Sequence, residues 1–387
     1  MSEPVIQGWC PGALRPMLSG DGWVVRVRPH GGRLSRVQAE GLGRLALTYG
    51  NGQIDLSTRA NIQIRGATEH SHGPLIDGLA GLGLVDKSAE AEGRRNIVVT
   101  PLWTEHDGVQ TLAAALAAAL GVEDAPQLPS KFGFAIDCGS CPVLSTVSAD
   151  IRLERNAEGI LICRADGAAS GAPVSEGTAT ATAMALAQWF VESGGAHSGR
   201  GRMSRHLATG AVLPSVFTQV PAQATLAFPA RPGRLEPGVL VGFEFGQMHA
   251  ETLIALACHG ALRVTPWRML LVEGMNEPPN IEGLITRPAD PMLRVIACTG
   301  KPACFQALQP TRKLARRLAR QLPERATLHV SGCAKGCAHA GAADVTLTAQ
   351  PAGFDFIRNG RAADAPSRRG LTASWLDDHP AIFSELL

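Results

Sequence analysis

Four cysteines limit what this chain can be more than any other part of its sequence. The stretch ACTGKPAC sets Cys298 and Cys304 with five residues between them, and SGCAKGC sets Cys333 and Cys337 with three. Twenty-eight residues, 305 to 332, lie between the pairs. Four thiolates on two short loops can surround a cubane 4Fe-4S cluster, provided that the backbone approaches it closely, which glycine allows. Gly300, Gly332 and Gly336 meet that need. Structural zinc is usually held by C-x2-C knuckles, and neither pair has that form. Disulfides need an oxidising compartment, of which the chain shows no sign, and nine cysteines are an odd number for such a framework. The spacing predicts an iron-sulfur cluster ahead of zinc or unligated core thiols.

With 387 residues there is room for two or more cores, and 45% hydrophobic with 18% charged residues is ordinary for a folded globular enzyme. Lys and Arg number 36 against 34 Asp and Glu, so net charge gives no reason to expect a nucleic-acid partner, and any anion site must be built locally. The opening MSEPVIQGWCPGALRP has no basic segment followed by an apolar run, and no window reaches 18 uninterrupted apolar residues. The expectation is a cytoplasmic protein with no membrane partner.

Residues 8–73 read as strand, helix, strand: WVVRVR, a helix from about Leu34 to Tyr49, then QIDLSTRANIQIRG. Such a unit cannot cover both faces of its own sheet and needs a partner. That partner is encoded 208 residues later, where LRVTPWRMLLVEG (262–274) lies over IDLSTRANIQIRG (54–66) and Gly260 over Gly52. A helix-like segment precedes both copies, and Thr58-Arg59 and Trp267-Arg268 fall in corresponding segments. One repeat of this size implies two half-domains pairing about a pseudo-twofold axis, not a solenoid. Residues 90–225 hold a strand at RRNIVVTPL, a hairpin turning at Asn156–Gly159 and a helix from about Thr180 to Glu192. A Pro- and Gly-rich linker follows near 220–238, then the second half-domain at 233–280 and the cysteine-bearing segment at 285–387. There, Leu314, Leu318 and Leu322 form one buried stripe of a helix bounded by Pro310 and Pro323, and the end of the chain reads as a strand pair.

Taken with SGCAKGC, the C-x5-C and C-x3-C arrangement resembles the sulfite and nitrite reductase family, in which a four-iron cluster lies against a siroheme. The resemblance runs from CPGALRPMLSGDG to NGRAADAP. It implies an internally duplicated α+β fold: two ferredoxin-like half-domains paired about a pseudo-twofold axis, plus two α+β lobes. The first lobe would lack a cluster and the second would hold it on Cys298, Cys304, Cys333 and Cys337. After the fourth cysteine siroheme reductases usually continue with glycine. Here the chain reads Cys337-Ala338-His339-Ala340-Gly341, like the cobalamin-pathway oxygenases of the family.

The resemblance also selects cations. Arg59 in LSTRANIQIRG matches the family's Thr-Arg motif facing the tetrapyrrole, Arg95 in RRNIVV matches its Arg-Asn strand opening, and Arg94 is a weaker second choice. Arg268, in the repeat copy, is expected to play the same part from the other half. Lys131 matches the LPxKF segment, but where sulfite reductases carry a second lysine two positions on, this chain has Gly133. Multi-electron reduction of sulfite needs several proton donors, so that glycine argues against it. Lys131 then pairs with a substrate carboxylate or is an ordinary surface lysine. His339, two residues past a cluster ligand, suits proton transfer, ligation of a second iron or a structural backbone bond. His70-Ser71-His72 reads as a polar surface loop, Cys138-Gly139-Ser140-Cys141 as core thiols, and Arg312, Lys313, Arg316, Arg317 and Arg320 as a solvated helix face.

What the resemblance implies is an oxygenase that hydroxylates precorrin-3A at C20 while the ring A acetate closes a lactone. Its partners would be the tetrapyrrole, dioxygen and an electron-donor protein carrying electrons from NADH. Its cofactors would be the 4Fe-4S cluster and a mononuclear non-heme iron whose ligands the motifs do not name. One rival is a siroheme-dependent sulfite or nitrite reductase, whose cofactor needs nearly the same cationic cradle. Another is a non-catalytic electron-transfer or tetrapyrrole-binding protein.

Overall fold

The computed structural model describes residues 11–139, 142–224 and 226–384. Its first unit opens with a hairpin, Met17–Ser19 against Gly22–Val27, turning through Gly20 and Asp21. The helix Arg36–Tyr49 starts at Ser35, whose hydroxyl and backbone exchange bonds with Gln38 in a capping box. The stretch read as one strand from 53 to 66 is two, Gln53–Leu56 and Ile62–Ala67. The chain reverses because Ser57 Oγ accepts from the N–H groups of Arg59 and Asn61, and Ala60 takes the left-handed conformation at φ +52°. The second unit repeats the pattern with Gly233–Leu235, Gly238–Gly242, the helix Ala250–Ala257, Leu262–Val264 and Met269–Glu273.

Each half completes the other's sheet. Gln247–His249 lies antiparallel beside Gln53–Leu56, and Arg33–Leu34 lies antiparallel beside Leu262–Val264. Both exchanged strands stand just before the helix of their own half. Alternate residues of the two sheets, Ile54, Leu56, Ile62 and Ile64 with Leu262, Val264, Leu270 and Val272, face one shared core. The two helices pack within it, and Gly43 brings them so close that a Cβ there would stand 3.1 Å from the Ala250 carbonyl oxygen. The remaining alternate residues, Asp55 and Arg65 in one copy and Arg263 and Glu273 in the other, point away from that core and form ion pairs.

Two further sheets flank this centre with one topology. Ile97–Val99, Phe134–Asp137 and Ile151–Arg155 run parallel, with Leu161–Ala165 antiparallel beyond them. Val295–Ala297, Leu328–Ser331 and Ala343–Gln350 repeat this, followed by the antiparallel Gly353–Gly360. The structure is thus the internally duplicated α+β arrangement that the sequence predicts. The leucine-stripe helix is shorter than expected, Arg312–Leu318, though Leu314, Leu318 and Leu322 are all buried. Its basic face is not simply solvated: Arg312 turns inward to Asp55 at 3.4 Å, while Arg316 and Arg317 pair with Glu244 and Asp377. The segment read as a polar His70–His72 loop is the first turn of the helix Glu69–Gly81, capped by Thr68. Two residues apart on a helix, the histidines face different ways, and His72 bonds the Ala13 carbonyl and meets Trp23 edge-on. Among the described residues no helix is long and apolar enough to cross a membrane.

Arg65 shows what the outward faces are for. Burial works against its charge, yet hydrogen bonds and charge from Asp21 and Asp55 hold its pKa above the usual arginine value. Replacing it with methionine takes from Asp21 and Asp55 the cation both share and should cost about 3 kcal/mol of stability. Arg44→Met, which removes an exposed pair with Glu40, should cost less than about 1 kcal/mol. Urea unfolding followed by circular dichroism compares them, and equal midpoints would count against this role for Arg65.

Candidate cysteine-cluster site

The cysteine loops meet because of strand order. Cys298 follows Val295–Ala297 and Cys333 nearly follows Leu328–Ser331, and these strands are parallel neighbours with Ala297 opposite Val330. Both loops therefore leave from adjacent carboxyl ends of one sheet. The Gly332 N–H donates to Cys298 Sγ at 3.1 Å, and Thr311 Oγ1 donates to the Cys298 carbonyl at 2.6 Å. Two glycines permit this closeness. At Gly300, φ +69°, a Cβ would lie 2.4 Å from Thr311 Oγ1, and at Gly332 one would lie 3.3 Å from Cys298 Sγ.

Burial pushes the Cys298 thiol up, with the charge of Cys304 adding to the effect. Burial also raises Cys337, and there Cys333, Cys298 and Cys304 all contribute. The four thiolates thus share one electrostatic neighbourhood. Among the described residues no three His, Cys, Asp or Glu side chains close on a single ion. A cubane spreads its four ligands over separate irons, and four thiolates on two loops that sense each other are the donor set it takes.

Both loops are gripped from outside. The Ala303 carbonyl, beside Cys304, accepts from Ser19 Oγ at 2.6 Å, the Gly20 N–H at 3.1 Å and Arg65 Nη2 at 3.3 Å, all from the first half-domain. The Ala338 carbonyl, beside Cys337, accepts from Arg268 Nη2 of the second at 2.6 Å. The 208-residue offset sets Arg268 over Ala60, and Arg59 over Trp267, so the two arginines are not positional equivalents.

Of the other residues selected from sequence, Arg59 and Lys131 come together: Arg59 Nη2 donates to the Lys131 carbonyl at 3.1 Å, and the Lys131 side chain is exposed. Gly133 and Asn96 line the small hollow beside Arg59. Arg95 lies apart from this pair, buried in a bidentate ion pair with Asp86 at 2.7 and 2.8 Å and bonded to the Arg28 carbonyl. Arg94 caps a helix by donating to the Leu120 and Val122 carbonyls. His339 bonds the Ala342 carbonyl at 3.1 Å and lines a cavity of about 230 Å³ with Thr58, Trp267, Arg268, Phe245 and Ile296. The turn carrying Thr58 and Arg59 therefore stands between this cavity and Lys131. Larger clefts, of about 740 and 810 Å³, contain none of these residues.

Sequence reasoning passed over His329, which is fully buried with both ring nitrogens lacking a partner among the described residues. Its ring meets that of His339 edge-on at 5.7 Å. The signal was present: in Leu328-His329-Val330-Ser331 the apolar residues alternate with polar ones, which puts His329 on the face away from the lobe's apolar core.

Residues 15–82 match the model of the nitrite/sulfite reductase ferredoxin-like half domain. The fold resembles that of the Mycobacterium tuberculosis NirA protein, with a TM-score of 0.66 and 20% identity over 92% of this chain and 79% of that one. The architecture is thus sulfite/nitrite reductase-like. More particularly, the chain is similar to the precorrin-3B synthase of Sinorhizobium sp, being 29% identical over 394 residues that cover 93% of this chain and 84% of the relative. The ferredoxin–nitrite reductase of Synechococcus elongatus is 23% identical over 457 residues, covering 96% and 87%.

Burial, helped by the charges of His339 and Arg268, lowers the His329 pKa to about 4. The unfolded chain, with an ordinary histidine, binds more protons than the folded one between about pH 4 and 6.5, so stability from this group is complete above 6.5 and is lost as pH falls towards 4. The loss should be on the order of 3 kcal/mol. Urea midpoints of the metal-free chain across that range should fall more steeply for the wild type than for His329→Asn; parallel slopes would refute it.

Proposed function

We propose that this protein is a precorrin-3B synthase, hydroxylating precorrin-3A at C20 as the ring A acetate closes a lactone. The observation that carries the reading is similarity to such a synthase over 93% of the chain, which includes all four converging thiols. One oxygen atom of dioxygen enters the product and the other leaves as water, consuming two electrons and two protons. When bound by Cys298, Cys304, Cys333 and Cys337, the cluster supplies electrons singly, drawn from a reduced donor protein. Arg59 and Lys131 bind carboxylates of the macrocycle, which lies across the 57–61 turn because the cavity of about 230 Å³ is too small to enclose it. Arg95 supports this site from behind, through the strand opening that also carries Asn96. A backbone-bonded imidazole such as His339 has a fixed orientation and can hold or pass a proton at Nδ1. For a mononuclear iron the described residues offer no three-ligand set, so its ligation would have to include groups beyond them.

The match to a ferredoxin–nitrite reductase supports a second reading, siroheme-dependent reduction of nitrite or sulfite. Gly133 weighs against it. Its N–H bonds Asp150, and it supplies no second cation beside Lys131.

Anaerobically purified protein should show an iron-sulfur spectrum, no acid-acetone-extractable siroheme, and conversion of precorrin-3A under oxygen with a reduced donor. Arg59→Ala and Lys131→Ala should each raise KM for the tetrapyrrole roughly 10- to 100-fold, the worth of one charge-assisted bond. Stoichiometric siroheme with nitrite or sulfite turnover would replace this reading with the second.

A further inference from the structure

Resting on the reading that the four cysteines hold a cluster, we propose that Arg268 is a positioning residue. It fixes the second cysteine loop against the second half-domain and holds a positive charge beside the cluster, raising its reduction potential.

The backbone gives the first reason. Arg268 sits at φ +59°, a left-handed conformation that is uncommon for a side chain of this size. Ala60, its counterpart in the first copy, has φ +52°, so the corner belongs to the duplicated scaffold and the copies differ in what it carries. In the second copy the side chain crosses Gly246, where a Cβ would stand 2.6 Å from Arg268 Cβ, and ends on the Ala338 carbonyl between Cys337 and His339. A glycine thus clears the path along which a half-domain residue reaches the cluster lobe.

Charge gives the second. Among the described residues Arg268 has no carboxylate at ion-pair distance, in contrast to Arg65, Arg95 and Arg263. Burial and the charge of Arg312 lower its pKa, while the charge of Asp55 and then that of Cys298 act the other way, so its field reaches Cys298. Arginine stays protonated regardless. A cluster gains a negative charge on reduction, so a cation held close in a partly buried place favours the reduced form.

The test uses Arg268→Gln and Arg268→Lys in the full chain. Hydrogen exchange of residues 333–341 is measured on the metal-free protein, and the midpoint potential on the reconstituted protein. Arg268→Gln should speed exchange at least several-fold and lower the potential, while Arg268→Lys, which keeps the charge, should hold the potential near that of the wild type. With precorrin-3A, Arg268→Gln should lower kcat and leave KM nearly unchanged. A raised KM with potential and exchange unchanged would make Arg268 a substrate cation and overturn the proposal. A wild-type chain that takes up no iron and sulfide would overturn the cluster reading and the redox part; the exchange result would still decide the clamp.

Discussion

Two loops carrying four thiols have no fixed separation of their own, and a cluster needs one. Strand order brings the loops to adjacent sheet ends, but the carbonyls of Ala303 and Ala338 are held by different half-domains, through Ser19, Gly20 and Arg65 on one side and Arg268 on the other. The distance between the cysteine loops therefore depends on how the half-domains sit on each other. That relation is stiff, because each half contributes a strand to the other's sheet and the central helices pack closely at Gly43, where the Ile254 side chain takes the space a Cβ would fill. A disturbance in the shared core would reach the site as a change in loop spacing, with no site residue altered.

The same duplication explains how the lobes are told apart. In the first copy the cross-strand pair is Asp55 with Arg65; in the second, at the same positions, it is Arg263 with Glu273. The charges are reversed. The exchanged strands add partners to each, Gln247 to Asp55 and Arg33 to Glu273. Asp55 draws in Arg312 and Arg65 reaches the Ala303 carbonyl, so this pair receives the four-cysteine lobe. Arg263 instead donates to the Pro101 and Trp103 carbonyls of the first lobe and stacks on the Trp103 ring at 3.7 Å. A lobe placed on the wrong half would set Arg312 against Arg263, and like charges in a buried place are costly. One scaffold used twice thus distinguishes its two partners by charge sign.

Much of this was legible because it rests on spacing. The four cysteines, the three glycines and the 208-residue repeat all follow from counting, and the strand exchange is a consequence of two halves each short of a partner. What was missed lies on faces where patterning misleads. Asp55, Gln63 and Arg65 alternate with Ile54, Ile62 and Ile64, a pattern that ordinarily means solvent; here that face is covered by the four-cysteine lobe. Arg312 was misread as solvated for the same reason, since a helix pattern identifies the face opposite the leucines but not what lies over it. Arg95 was selected by motif, yet its bidentate pair with Asp86, nine residues earlier, follows from a loop geometry that no periodicity encodes.

The two lobes share a topology, which raises the question of why the four-cysteine arrangement falls to only one. The counterpart of the strand Leu328–Ser331, which leads to Cys333, is Phe134–Asp137, which leads to Cys138. Counted from the strand, Cys138 falls at the place of Gly332, one residue short of Cys333, and its chemistry differs too. Cys138 is buried, its thiol donates to the Leu153 carbonyl, and burial pushes that thiol up to about 12. Cys141 lies outside the described residues. On the neighbouring strand, the loop that corresponds to Cys298–Cys304 begins Thr100-Pro101-Leu102-Trp103 and has no sulfur. Its carbonyls are already spent on Arg263, as the Ala303 carbonyl is on Arg65. The docking interaction is therefore the part of the duplicated plan that both lobes keep, and the cysteines are an addition to one of them.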